Sequence, residues 1–274
     1  MANNLLKGKR GIITGALDEH SIAWKVAERA HEQGAVFTLS NAPIAMRMGE
    51  INKLAEKTGS QIIPADATSP EDIEILFNKS MEILGGKIDF FLHSIGMSMN
   101  VRKGNAYTEL NYDLFYKTID ISAMSLHRML STAYRLDAIN EGGSVLALTY
   151  IAAQRTYPFY NDMSEAKAML ESIVRSFGYQ YGKAKRVRVN SISQSPTKTK
   201  AGGGIKGFND FYNYADACSP LGNASADDCA QFCVAMFSDL TKGVTMQNIY
   251  HDGGYSTTGA TEHVIEKFSG EAFS

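Results

Sequence analysis

The chain has 274 residues, 44% hydrophobic and 20% charged, with a formal net charge of −2 at pH 7. That balance suits a soluble globular protein and gives no electrostatic case for a nucleic-acid or membrane partner. The N-terminal MANNLLKGKR lacks the apolar core of a signal peptide and no apolar run is long enough to span a bilayer, so a cytoplasmic protein that binds a small molecule or another protein is expected.

After the basic KGKR, GIITGALD reads as an apolar strand ending in a turn, SIAWKVAERAHEQ has the three- and four-residue apolar spacing of an amphipathic helix, and AVFTLSN is a second strand. The alternation continues with a helix over 47–57, a strand at SQIIPAD, a helix over 70–84 and a strand at IDFFLHSIG. Then come a long helix over 111–139, the strand GSVLALTY, a helix over roughly 160–180, the strand RVRVNSIS and a short last strand at MQNIYHDGG. Seven strands alternating with helices predict one α/β domain over 1–274, a doubly wound, mostly parallel Rossmann-type sheet with helices on both faces. TKTKAGGGIKGFNDFYNYADA breaks the rhythm and reads as a functional loop or helix insertion at about 196–218. Cys218, Cys229 and Cys233 lack zinc-type spacing, so buried structural thiols and no metal are expected.

In such sheets a dinucleotide binds at the carboxyl ends of the strands, with its pyrophosphate at a helix N-terminus. The first turn here runs from Gly15 through Ser21 to Ile22 and lacks the full G-x-G-x-x-G pattern, so this segment alone fits a capped turn as well as a phosphate site. Ser21 is placed to cap the helix and offer its hydroxyl and N–H to a phosphate. Asp66, after the third strand, suits an adenine contact or a turn cap, and Ser94, Ile95 and Gly96 end the fourth strand where backbone can lie against a ribose. Ser40, Asn41 and Ala42 follow the second strand without a cation, which favours NADH; Arg47 keeps NADPH open.

At the chemical end, Lys167 has three upstream phenols, Tyr150, Tyr157 and Tyr160. A nearby ammonium lowers the cost of ionising a phenol. Tyr160 stands seven residues before Lys167, about two helical turns, and so shares its face. Tyr157 precedes Pro158, which makes a helical start there unfavourable, and it is read as a wall residue. Tyr150, at a strand end, flanks the substrate from the other side.

The run LTYIAAQRTYPFYNDMSEAKAML resembles the active-site segment of the enoyl-acyl-carrier-protein reductases, a divergent branch of the short-chain dehydrogenases with a Tyr-x6-Lys pair and another tyrosine ten residues before the catalytic one. GALDEHSIAW, HSIG, VRVNSIS and HDGGYS resemble further family segments in the same order. Lys25, Ser195 and Thr197 depart from the family pattern, the first near the phosphates and the others near the nicotinamide.

The resemblance implies reduction of a trans-2-enoyl thioester on acyl carrier protein by hydride from NADH to C3. Tyr160 would hydrogen-bond the developing enolate, Lys167 would hold the cofactor ribose, and Tyr150 would shape the thioester pocket. Cofactor contacts are expected from Ile22, Ala67, Pro196, Thr197 and Thr199, and substrate contacts from Met163, Ala201, Ile205 and Phe208. Lys198, Lys200, Lys206 and Arg155 are candidates for docking the acidic carrier protein, and a homotetramer is expected. The alternatives are another short-chain reductase acting on a carbonyl or alcohol, and a non-catalytic NAD-binding sensor.

Overall fold

The computed structural model describes residues 3–47, 50–205 and 207–269. Seven strands, β1 (Arg10–Thr14), β2 (Val36–Ser40), β3 (Gln61–Ile62), β4 (Ile88–His93), β5 (Ile139–Thr149), β6 (Arg188–Gln194) and β7 (Asn248–His251), form one sheet in the order β3-β2-β1-β4-β5-β6-β7. Every neighbouring pair is parallel. The order reverses between β1 and β4, which opens a crevice at their carboxyl ends.

The helices are α1 (Ile22–Glu32), α2 (Pro43–Met46), α3 (Ile51–Thr58), α4 (Pro70–Leu84), α5 (Met99–Lys103), α6 (Tyr112–Ile119), α7 (Ser125–Arg135), α8 (Asp162–Lys185), α9 (Lys200–Gly203), α10 (Phe208–Cys218), α11 (Ala226–Phe237) and α12 (Glu262–Ser269). Side chains alternate across the sheet. Ile13, Phe90, Leu92, Leu146 and Leu148 join a core with Trp24 of α1 and Cys229, Cys233 and Phe237 of α11. Ile12, Phe91, Val145 and Ala147 join a second core with α4, α7 and α8 through Leu76, Leu126 and Leu170. Burial on both faces explains why the strands read as continuous apolar runs. The three cysteines are buried free thiols, as expected for structural residues.

The single helix predicted over 111–139 is instead α6 and α7 joined by a π-helical turn over Asp120–Met124, and it stops at Arg135 because Ile139 is already in β5. The extra residue in that turn presents Ser122, whose hydroxyl accepts from Met97 N (2.9 Å) and donates to Met97 O (3.1 Å) beyond the end of β4. The 196–218 segment is more regular than its glycines suggested. FNDFYNYADAC contains neither Gly nor Pro and forms α10.

Candidate active site

Four strand ends meet in the crevice. Gly15, at φ 88°, closes the turn after β1, and a Cβ there would lie 1.9 Å from Ser94 O. Glycine is therefore required both by conformation and by the close approach of β4. Gly15 N also donates to Ser40 O, and Asn41 Nδ2 donates to Ala16 O, so the ends of β1, β2 and β4 are laced together. At Gly96 a Cβ would meet Met163 Cε at 3.3 Å and Lys167 Nζ at 3.6 Å, which leaves open backbone beside an ammonium. Ile95 packs against the second core.

The cofactor-side residues keep their places with altered roles. Ser21 is the N-cap of α1 but makes no side-chain cap bond. Its hydroxyl donates to Asp18 O (2.8 Å) and its N–H also goes to Asp18 O, so neither the predicted cap nor a free Ser21 N–H is present. The donors left open at this terminus are Ile22 N and Ala23 N, since Trp24 N and Lys25 N donate to Ser21 O. Asp66 takes the turn-cap role, accepting from Thr68 N and Thr68 Oγ1, beside buried Ala67. Pro196 is buried after β6, Thr197 Oγ1 donates to Ser195 O, and Thr199 Oγ1 accepts from Gly202 N at the start of α9. Of the departures, Lys25 is turned along α1 into an ion pair with Glu28 (3.1 Å) that Lys57 shares, and Ser195 Oγ accepts from Ala224 N.

The catalytic candidates lie on the β5 side. Lys167 is 8% exposed and its Nζ donates to Leu148 O at 2.8 Å. Burial pushes its pKa down to about 8, and the negative charge of Glu171 works against that fall. Glu171 stands one turn further along α8, is itself buried, and accepts from Thr149 Oγ1 and Gln154 Nε2, both at 2.9 Å.

Tyr160 is not on the helix. α8 begins at Asp162, so the seven-residue spacing to Lys167 does not arise from a shared helical face. It is carried instead by a turn in which Phe159 (φ 69°) and Asn161 (φ 45°) both have positive φ, at a cost of about 1–3 kcal/mol each. Burial holds the Tyr160 phenol above its ordinary pKa. Desolvation alone accounts for the rise, with no contribution from Lys167, whose Nζ is turned to Leu148 O, and the group remains a proton-bearing donor at neutral pH. Tyr150 is more strongly raised, by burial and then by neighbouring Tyr157 and Tyr160, and its buried hydroxyl has no hydrogen-bond partner.

The phenols form an aromatic wall. The Tyr150 ring lies 5.2 Å from Tyr160 and 5.6 Å from Tyr157, and Tyr157 lies 5.1 Å from Phe211 of α10. Tyr157 thus packs between Tyr150 and Phe211. Phe208 does not join them: it packs on Tyr212 and against Gly202. Phe211, three residues on, is the α10 aromatic that meets Tyr150 and Tyr157; the aromatic spacing of FNDFYNY was the available signal. Ile205 is half-buried in the same segment, and the side chain of Ala201 lies outside the described residues.

The proposed docking cations are partly committed elsewhere. Lys200 pairs with Asp18 (3.0 Å) and Glu50 (3.4 Å), tying α9 to the β1 turn. Lys198 lies over the Tyr212 ring, Arg155 donates to Ser256 O, and Lys206 lies outside the described residues. His93 is fully buried with Nε2 2.8 Å from Ser125 Oγ, and burial, aided by the Lys167 charge, lowers its pKa to about 3.

A family model described as Enoyl-(Acyl carrier protein) reductase matches residues 15–256. The Rickettsia bellii protein named enoyl-[acyl-carrier-protein] reductase [NADH] FabI is 36% identical over 96% of this chain and all of its own length. A crystal structure of a FabI–NADH complex from Alistipes finegoldii superposes with a TM-score of 0.94 at 60% identity, covering 95% of this chain and 92% of that one. The Aquifex aeolicus enoyl-[acyl-carrier-protein] reductase (NADH) superposes at 0.86 with 31% identity, covering 94% of this chain and all of that one.

Proposed function

The chain belongs to the enoyl-acyl-carrier-protein reductase family, and from that membership and the crevice geometry we propose how its residues carry out the reaction. The enzyme reduces trans-2-enoyl thioesters on acyl carrier protein in fatty-acid synthesis, with NADH as cofactor. The residues present suit a nicotinamide dinucleotide. Gly15 keeps the β1 turn free of a side chain, the first turn of α1 offers backbone donors to phosphate, and Gly96 leaves space beside the Lys167 ammonium. NADH, when bound, supplies the hydride that C3 of the substrate accepts.

Lys167 holds the ribose hydroxyls and keeps the site positive. As C3 is reduced, charge builds on the thioester oxygen, Tyr160, held protonated by burial, donates a hydrogen bond to it, and a proton taken up at C2 then completes the saturated thioester. Tyr150, whose ring packs on Tyr160, orients the thioester with its unpartnered hydroxyl. The 196–218 segment covers the acyl chain, with Ile205 and Phe211 supplying apolar surface and Met163 flanking Gly96. The observation that carries this reading is the convergence of Gly15, Gly96, Lys167 and the Tyr150–Tyr160 pair on one end of the sheet. Purified protein is expected to oxidise NADH on addition of a trans-2-enoyl-acyl carrier protein and to leave it intact with a 3-ketoacyl thioester. The reverse selectivity would assign the site to carbonyl reduction, and NADH binding without turnover of either substrate would favour a sensor.

The enzyme works as a homotetramer. The support is the family resemblance together with the exposed stripe of α8, where Met169 and Tyr179 lie at 40% and 54% exposure. Beside it is a cleft of about 380 Å³ lined by His127, Ser176, Phe177, Tyr179 and Gln180. Sedimentation is expected to give the mass of four chains and Tyr179→Glu to lower it; a monomeric parent protein would overturn the assignment.

A further inference from the structure

The turn that presents Tyr160 is held from outside. Phe159 and Asn161 sit at positive φ on either side of it, and Asn161 has ψ −135°. Such backbone persists only where surrounding contacts over-determine it. For Asn161 and its neighbour Asp162, side-chain contacts come from the segment that follows Gly96.

Asp162, the first residue of α8, is 0% exposed. Its Oδ1 accepts from Ser98 Oγ at 2.6 Å and its Oδ2 from Asn100 Nδ2 at 2.9 Å. Ser98 also caps α5, accepting from Val101 N. Asn100 Oδ1 accepts from Asn105 Nδ2 (2.7 Å) and Asn111 N (3.1 Å), and its Nδ2 also donates to Asn111 O. Asn161 Nδ2 donates to Asn105 O at 2.7 Å. Both residues that follow Tyr160 are therefore moored to one stretch, 98–111, which itself leaves the sheet at the cofactor side of the crevice. The side-chain nitrogens and oxygens of Ser98, Asn100, Asn105, Asn161 and Asp162 are all partnered or solvent-accessible. A buried carboxylate is a poor device for stability alone, since an apolar side chain of similar volume would avoid its desolvation; its advantage is to fix one geometry.

We infer that Asp162 is a positioning residue, which through Ser98 and Asn100 holds the 159–161 turn so that the Tyr160 hydroxyl meets the substrate oxygen. The inference rests on the assignment of Tyr160 as the hydrogen-bond donor. It does not require Asp162 to touch substrate or cofactor.

The test is a double-mutant cycle on the full-length enzyme, measuring kcat, NADH affinity and thermal midpoint. Asp162→Leu removes both acceptors, and Asp162→Asn keeps one carbonyl acceptor should the leucine variant fold poorly. Displacing a reacting group by about 1 Å can cost up to about a hundredfold, so kcat is expected to fall about tenfold or more in Asp162→Leu and less in Asp162→Asn, with NADH affinity unchanged. In the Tyr160→Phe background the same substitutions are expected to cost almost nothing further, because the group they position is gone. Losses that add fully to that of Tyr160→Phe, or that fall equally on NADH affinity and kcat, would overturn the inference. A wild-type rate in Tyr160→Phe alone would instead remove the assignment on which it stands.

Discussion

Tyr160→Phe is expected to lower kcat for enoyl thioester reduction by about a hundredfold while leaving NADH affinity within about twofold of the parent. The ring stays, so its 5.2 Å contact with Tyr150 and the wall they share should survive. What is lost is one donor aimed at the oxygen on which charge develops, and removal of such a donor typically costs about 10²–10³ in kcat. The raised pKa of the phenol bears on the pH profile. A donor that remains protonated through neutrality puts no titration of its own between pH 6 and 8, so the parent and the variant should show the same profile in that range. Steady-state rates with a trans-2-enoyl-acyl carrier protein, with NADH affinity by fluorescence titration, check both statements. An unchanged kcat would transfer the donor role to another group, with the orphaned Tyr150 hydroxyl the first to examine.

Lys167→Ala is expected to act on binding and turnover together. Hydrogen bonds to a charged group contribute about 1.5–3 kcal/mol, so loss of the ammonium should weaken NADH by roughly 10- to 100-fold and lower kcat/KM by at least as much. The variant also leaves the buried Glu171 carboxylate without its cation, so a lower thermal midpoint should accompany it; assays well below that midpoint separate the two effects. The parent enzyme has a matching pH signature. The functional form of Lys167 is the protonated one and its pKa is near 8, so NADH affinity should decline as pH rises through about 8. Glu171 favours the charged form. Glu171→Gln should therefore move the decline to lower pH, and a shift upward, or none, would show that Lys167 is not the titrating group.

Much of the scaffold was legible in the residues. Runs such as GSVLALTY, set between helical patterns, could only be strands buried on both faces, and the order of elements then placed Gly15, Gly96 and Tyr150 at one end of a parallel sheet. Spacing favours Tyr160 over Tyr157, yet the helical face it assumes is absent. The helix starts two residues after Tyr160, and a strained turn sets the phenol against Tyr150, which no periodicity reports. Asp162 and Glu171 were invisible for a related reason. A carboxylate in a helical pattern is ordinarily assigned to the solvated face, and only tertiary packing reveals that these two are buried against Ser98, Asn100 and Thr149. Phe208 and Phe211 are equivalent in composition, and the rotation of α10 decides which one faces the tyrosines.

The uniform direction of the strands has a consequence for synthesis of the chain. Parallel neighbours need long crossovers, and β1 finds its partner β4 only after most of a hundred residues have been added. The residues of the candidate site run from Gly15 to Phe211, 196 positions later, which a ribosome covers in on the order of ten to forty seconds at about 5–20 residues per second. Through that interval no binding site exists. NADH can therefore stabilise the finished enzyme but cannot shelter the emerging one, and the apolar edges of β1 and β2 must wait unpaired for the rest of the sheet to leave the tunnel.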